Sequence, residues 1–172
     1  MIADIGTHPK KLIADKKQHV FIKKLSEGLE EICKAFYPRF VLYRATDFKT
    51  NEYRNLIGGR DYEPVESNPM LGYRGAFRYI SDPGVFRLEL EAIKRVREKG
   101  LTNLNLMIPF VRTPKELELV RREVLDANLR RSPTFALFMM CEIPSNVILI
   151  DEFIDCGIDG ISIGSNDLTM LI

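Results

Sequence analysis

A chain of 172 residues, 45% apolar and 28% charged, is long enough to bury the core of one domain and has the composition of an ordinary globular protein. The formal net charge is +1 and its Lys and Arg are interleaved with Glu and Asp, so no broad field points to nucleic acid or a membrane surface. Three cysteines without paired spacing, Cys33, Cys141 and Cys156, argue against a disulfide framework and a zinc site. The opening stretch MIADIGTHPKKLIADKK is charged and lacks the apolar segment of a secretion signal. No apolar run approaches the roughly 20 residues needed to span a bilayer, so a reducing cytoplasm is the expected compartment.

Amphipathic stretches alternate with short apolar runs along the chain. Residues 19–38 place Val20, Ile22, Leu25, Leu29, Ile32 and Phe36 at mostly three-to-four-residue steps, which predicts a helix that stops before Pro38. RFVLYRATD (39–47) reads as a strand. Residues 86–101 predict a second helix closed by Gly100, and 103–111 a second strand. Residues 113–128 predict a third helix with Thr113 as N-cap and Pro114 at its first position. A strand at 134–143, a helix at 144–157 and a last strand at 158–165 complete the series.

Nearly continuous apolar strands separated by helices imply an α/β fold of parallel units with both sheet faces covered. A doubly wound sheet and a (β/α)8 barrel both satisfy that pattern. The ends of the strand candidates favour the barrel. Arg44 follows FVLY, Arg74 follows the short Leu71–Tyr73 segment, Arg112 follows LMIPFV, Glu142 follows FMMC, and Asn166 and Asp167 follow ISIG. In a barrel these ends converge on one rim, where active sites are built.

Glu142 and Asp167 offer hard oxygen ligands suited to Mg2+ or Mn2+, and arginine forks match carboxylate and phosphate oxygens. Such a rim fits a small, highly anionic ligand, with the metal polarising a carbonyl or holding an enolate. Each residue also has a plainer reading. Glu142 could be a helix N-terminal charge, Asp167 an N-cap, and Arg44 and Arg74 surface ion pairs worth about 0–1 kcal/mol. His8 and His19 fall in the N-terminal helical region and are expected to be exposed.

NPMLGYRGAFRYI, LMIPFVRT, MMCEIPSN and GISIGSNDLT resemble the C-terminal barrel of the phosphoenolpyruvate-utilising enzymes. YRATDFKTNEYRNLIGG and the CEIPS form of the glutamate motif are most similar to the synthase (pyruvate, water dikinase) branch. The resemblance runs from IGTHP to the last residue, so residues 1–172 are expected to form part of one phosphoenolpyruvate/pyruvate-binding domain of TIM (β/α)8 type. It implies that Glu142 and Asp167 hold Mg2+ and that Arg44 and Arg74 act catalytically on the moving phosphoryl group. It further implies that Ser165 and Asn166 contact the substrate, with Arg112 a further contact placed mainly by position. The family reaction converts ATP, pyruvate and water to AMP, phosphoenolpyruvate and phosphate, through a phosphohistidine domain and an ATP-grasp domain.

Against the family pattern, the barrel is expected to lack its first and last two strands, the late catalytic cysteine and both partner domains. None of Cys33, Cys141 or Cys156 takes that cysteine's place. The expectation is therefore a chain inactive by itself, self-associating through open sheet edges or paired with missing segments. Two other readings are a non-catalytic binding or dimerisation module and a different metal-dependent enzyme of the same superfamily; DFKTNEYRNLIGG argues against the latter.

Overall fold

The computed structural model describes residues 2–172. Strands β1 (Val41–Arg44), β2 (Leu104–Ile108), β3 (Leu137–Cys141) and β4 (Gly160–Ile163) form one curled parallel sheet in the order β1-β2-β3-β4. Tyr43 pairs with Leu106, Ile108 with Met139, and Cys141 with Ile163, so the C-terminal ends of all four strands emerge on one rim. Parallel neighbours need crossovers, and helices supply them. Helices α1 (Ile2–Ile5), α2 (Pro9–Ala14) and α3 (Gln18–Phe36) precede β1. Between β1 and β2 lie α4 (Thr50–Arg54), α5 (Gly59–Tyr62), α6 (Gly75–Ser81) and α7 (Gly84–Glu98). α8 (Pro114–Asp126) joins β2 to β3, α9 (Pro144–Ile148) and α10 (Ile150–Asp155) join β3 to β4, and α11 (Ser165–Met170) follows β4.

The core lies between the outer face of the sheet and the helices. Leu104, Leu106 and Ile108 on β2 alternate with Asn105 and Met107, the two-residue period of a strand, and all three are fully buried. Phe21, Ile22, Leu25 and Leu29 of α3 and Phe86, Leu90, Ile93 and Val96 of α7 join them in one cluster. Each such side chain contributes about 1.5–3 kcal/mol by leaving water. At α8 the expected cap is present: Thr113 Oγ1 accepts the Glu116 N–H at 3.2 Å and Pro114 opens the helix. No helix among the described residues is long and apolar enough to cross a membrane.

Several expectations need correction. Ile32 and Phe36 are exposed, while Phe21 and Cys33 take core places, because the buried stripe of α3 steps through 22, 25, 29 and 33. The Arg39 guanidinium covers the Phe36 ring instead. The helix expected over 144–157 breaks at Leu149 into α9 and α10. The segment 71–73 is a turn, so the described residues hold four strands where the pattern suggested five. His19 is exposed as expected, but His8 is only 1% exposed. Its Nδ1 accepts the Lys10 N–H, which leaves the proton on Nε2 to donate to Glu63 at 2.9 Å. Glu63 also takes both Arg78 Nη groups, at 2.5 and 2.8 Å, forming a buried polar network beneath the rim.

Candidate functional site

The rim is assembled from the segment after each strand. Arg44, the last residue of β1, is exposed, with Nη1 4.0 Å from Met140 Sδ, and Asp47 stands three residues further on. After β2 the chain turns at Phe110, whose φ of +48° is a left-handed conformation costing a non-glycine residue about 1 kcal/mol or more. That turn aims the Phe110 N–H at Glu142 Oε1, at 2.6 Å. Asn146 Oδ1 accepts the N–H groups of both Glu142 and Ile143 at 3.1 Å, and its Nδ2 donates to the Val111 carbonyl at 2.7 Å. The glutamate is thereby fixed to the neighbouring rim segment. After β4, Gly164 leaves room for it: a Cβ at 164 would stand 2.5 Å from Glu142 Oε2. Asp167 then lies in the first turn of α11.

Arg74 closes the arrangement. Its Nε donates to Asp47 Oδ1 at 3.0 Å, and its Nη2 donates to Asp47 Oδ2 and, at 2.9 Å, to Asp167 Oδ2. The guanidinium stacks 4.0 Å above the Phe110 ring. Gly75 makes this approach possible, because a Cβ there would stand 2.6 Å from Phe110 Cβ, and its φ of +57° suits glycine. Burial works against the charge of Arg74, yet the hydrogen bonds and attraction from Asp47, then the attraction of Asp167, hold its pKa above the ordinary arginine value. The pKa of Glu142 rises as well, which for a carboxyl disfavours the charged form. Burial raises its pKa, Asp47 and Asp167 push in the same direction, and the Phe110 N–H and Arg74 oppose them.

These groups line a cleft of about 330 Å3. The lining is Arg44, Asp47, Lys49, Glu52 and Arg74 from the β1 side of the chain, with Met140, Glu142, Ile163 and Gly164–Asp167 from β3, β4 and the segments after them. Ser165 and Asn166 are exposed within it. Carboxylate oxygens of Asp47, Glu142 and Asp167 lie within 4.8 Å of one another, an all-oxygen donor set that fits a hard divalent cation. A second groove, of about 270 Å3 between Tyr37, Phe40, Asn103 and Phe135, is lined by no charged residue.

Of the sequence-derived candidates, Arg44, Arg74, Glu142, Ser165, Asn166 and Asp167 share the cleft. Arg112 does not line it. Its Nη2 donates to the carbonyls of Leu71 and Gly72, at 3.2 and 2.5 Å, and its Nη1 to that of Arg74 at 3.4 Å. Arg112 therefore holds the segment that carries Arg74. Asp47 was missed by sequence reasoning, although a carboxylate three residues after a strand-end arginine was the available signal. Phe110 carried no signal, since only the fold turns its N–H toward Glu142.

A family described as "PEP-utilising enzyme, PEP-binding domain" matches residues 8–172, which take in every cleft residue. The chain belongs to the PEP-utilising enzyme family. It is 52% identical over 169 residues to a probable phosphoenolpyruvate synthase of Staphylothermus marinus, covering 96% of this chain and 20% of that protein. The phosphoenolpyruvate synthases of Escherichia coli and Pyrococcus furiosus are 50% and 44% identical over 91% and 98% of the chain. The chain spans about a fifth of the length of the curated relatives it matches, 20–21% in these three.

Proposed function

We propose that the cleft binds pyruvate and phosphoenolpyruvate with Mg2+, or Mn2+, as the substrate site of a phosphoenolpyruvate synthase. The whole-enzyme reaction would convert ATP, pyruvate and water to AMP, phosphoenolpyruvate and phosphate. The observation that carries the reading is three clustered carboxylates in the same cleft as Arg44 and Arg74. On this reading the curled four-strand sheet is part of a TIM barrel of phosphoenolpyruvate/pyruvate type, and the phosphoryl group arrives from a phosphohistidine charged by an ATP-grasp domain. The three free, buried cysteines suit a reducing cytoplasm.

Glu142 and Asp167 would hold the metal, which when bound supplies a Lewis acid beside the pyruvyl oxygen. Arg74, braced by Asp47 and Asp167, presents a fixed positive wall without having to reorganise. Arg44 makes no ion pair among the described residues and is available for phosphoryl oxygens. Ser165 and Asn166 offer neutral hydrogen-bonding groups to the substrate carboxylate. Calorimetric titration with oxalate, a mimic of the enol form of pyruvate, tests this. Binding should require Mg2+ and disappear in Glu142→Ala and Asp167→Ala, and metal-independent binding, or none, would overturn it.

A second reading, a non-catalytic dimerisation module, is favoured by the edges of β1 and β4, which pair with no further strand among the described residues, and by exposed Phe40, Ile161 and Ile163 beside them. Size-exclusion chromatography should then give a species larger than the 19.8 kDa chain, and a stable monomer would remove its support.

A further inference from the structure

The cleft's cations are not equivalent. Arg74 is buried and committed to Asp47 and Asp167, so its charge is already balanced inside the protein. Arg44 and Lys49 line the same cleft, and neither forms an ion pair among the described residues. Among the described residues Arg44 reaches a methionine sulfur alone, and the Lys49 ammonium makes no hydrogen bond. Lys49 is nevertheless a half-buried residue on a pinned stretch of backbone. Its N–H donates to Glu52 Oε2 at 2.7 Å, and the Thr50 hydroxyl next to it donates to Glu66 Oε2 at 2.7 Å. Glu66 in turn accepts the Tyr73 N–H at 2.9 Å, tying this stretch to the segment that carries Arg74. A lysine stem thus starts from a fixed point on the rim and ends in an uncommitted charge beside a cleft.

We infer that Lys49 binds the phosphoryl group of the ligand together with Arg44, and that this pair makes the cleft distinguish a phosphorylated three-carbon acid from its unphosphorylated form. The inference rests on the reading of the cleft as a phosphoenolpyruvate and pyruvate site. A phosphoryl dianion calls for positive charge beyond the already paired Arg74, and among the described residues Arg44 and Lys49 are the cations of the cleft without an ion pair. The ligand's carboxylate, beside the metal-holding side, has Ser165 and Asn166. Neutralising Lys49 should therefore weaken a phosphorylated ligand selectively.

Titration calorimetry of this chain in Mg2+, with phosphoenolpyruvate and oxalate as the two probes, tests this. Lys49→Met, which leaves the backbone bond to Glu52 in place, should lose about tenfold or more in phosphoenolpyruvate affinity, the worth of one charge-assisted contact. Its oxalate affinity should stay within about twofold of the parent, and Lys49→Arg should recover most of the loss. Thermal melts of both variants establish that the fold is kept. If Lys49→Met binds phosphoenolpyruvate like the parent, or loses both probes equally, the inference falls while the site reading stands. If the parent chain binds neither probe, both fall.

Discussion

Glu89 is a carboxyl only 1% exposed, directly beneath the β1 end of the rim. Its Oε2 accepts the Tyr43 hydroxyl at 2.6 Å and the Thr46 N–H at 2.9 Å, so it steadies the segment between Arg44 and Asp47. Burial pushes its pKa from the ordinary 4.5 up to about 7, against the opposing pull of Tyr43 and Thr46. The folded chain therefore binds this proton more tightly than the unfolded chain does. The associated stability is fully present below pH 4.5 and is lost as pH rises through 7. Between pH 5 and pH 8 the loss is about 2 pKa units, or about 3 kcal/mol. Glu63 acts in the opposite sense and Glu142 in the same one, so the wild-type profile alone does not isolate it. Glu89→Gln does, because the amide oxygen can still accept from Tyr43 and Thr46 but does not titrate. Urea unfolding of both proteins should show the variant gaining about 3 kcal/mol relative to the parent from pH 5 to pH 8. In thermal melts the same gain is about 6–12 °C. Parallel profiles across this range would refute the assignment of a protonated, buried Glu89.

Glu63→Ala should cost about 3–5 kcal/mol in urea unfolding, because Arg78 would keep its charge in the interior with its carboxylate partner gone. Hydrogen bonds from His8 and Arg78 outweigh burial and hold the Glu63 carboxyl below its ordinary pKa, so its contribution should fade as pH falls through that lowered value; an acid-insensitive difference between parent and variant would contradict this. Gly164→Ala should weaken Mg2+-dependent oxalate binding about tenfold or more by pushing the Glu142 carboxylate aside, read by calorimetry beside an unchanged far-ultraviolet circular dichroism spectrum. Arg112→Ala should free the carbonyls at 71, 72 and 74, so that hydrogen exchange at the Arg74 amide, now bonded to Gly72 O at 3.0 Å, speeds up and oxalate affinity falls.

Features governed by local chemistry were legible in the sequence. The Thr113-Pro114 start of α8, the apolar strands and the polar residues at their ends depend on neighbours a few positions away. Features that depend on distant partners were not. His8 reads as a surface histidine until Glu63, 55 residues on, folds over it. Segment 71–73 has the composition of a strand, but its polar groups are already taken: the N–H groups of Leu71 and Gly72 donate to the Asn68 and Pro69 carbonyls, Arg112 holds the carbonyls of Leu71 and Gly72, Arg78 that of Tyr73, and Glu66 the Tyr73 N–H. A ladder has nothing left to pair with there. Arg74 read alone is a surface ion pair, whereas the fold buries it between two carboxylates that lie 27 and 93 positions away.

That burial bears on where in the cleft a cation would fit. Like charges within 4.8 Å repel by about 3 kcal/mol per pair at an effective dielectric of about 20, and Asp47, Glu142 and Asp167 form three such pairs. Arg74 offsets Asp47 and Asp167 through direct hydrogen bonds. Among the described residues the Glu142 carboxylate accepts a neutral N–H, from Phe110, and its pKa is raised first by burial and then by Asp47 and Asp167, against the pull of Phe110 and Arg74. The under-compensated carboxylate is thus the buried one, fixed by Asn146 and pressed against Gly164, within 4.8 Å of the Asp167 carboxylate. A divalent ion shared by Glu142 and Asp167 would offset the repulsion that the hydrogen bonds of Arg74 to Asp47 and Asp167 leave at Glu142. In that arrangement Arg74 steadies the cleft as a counterion to Asp47 and Asp167, and the ion would answer the carboxylate that the arginine does not bond directly.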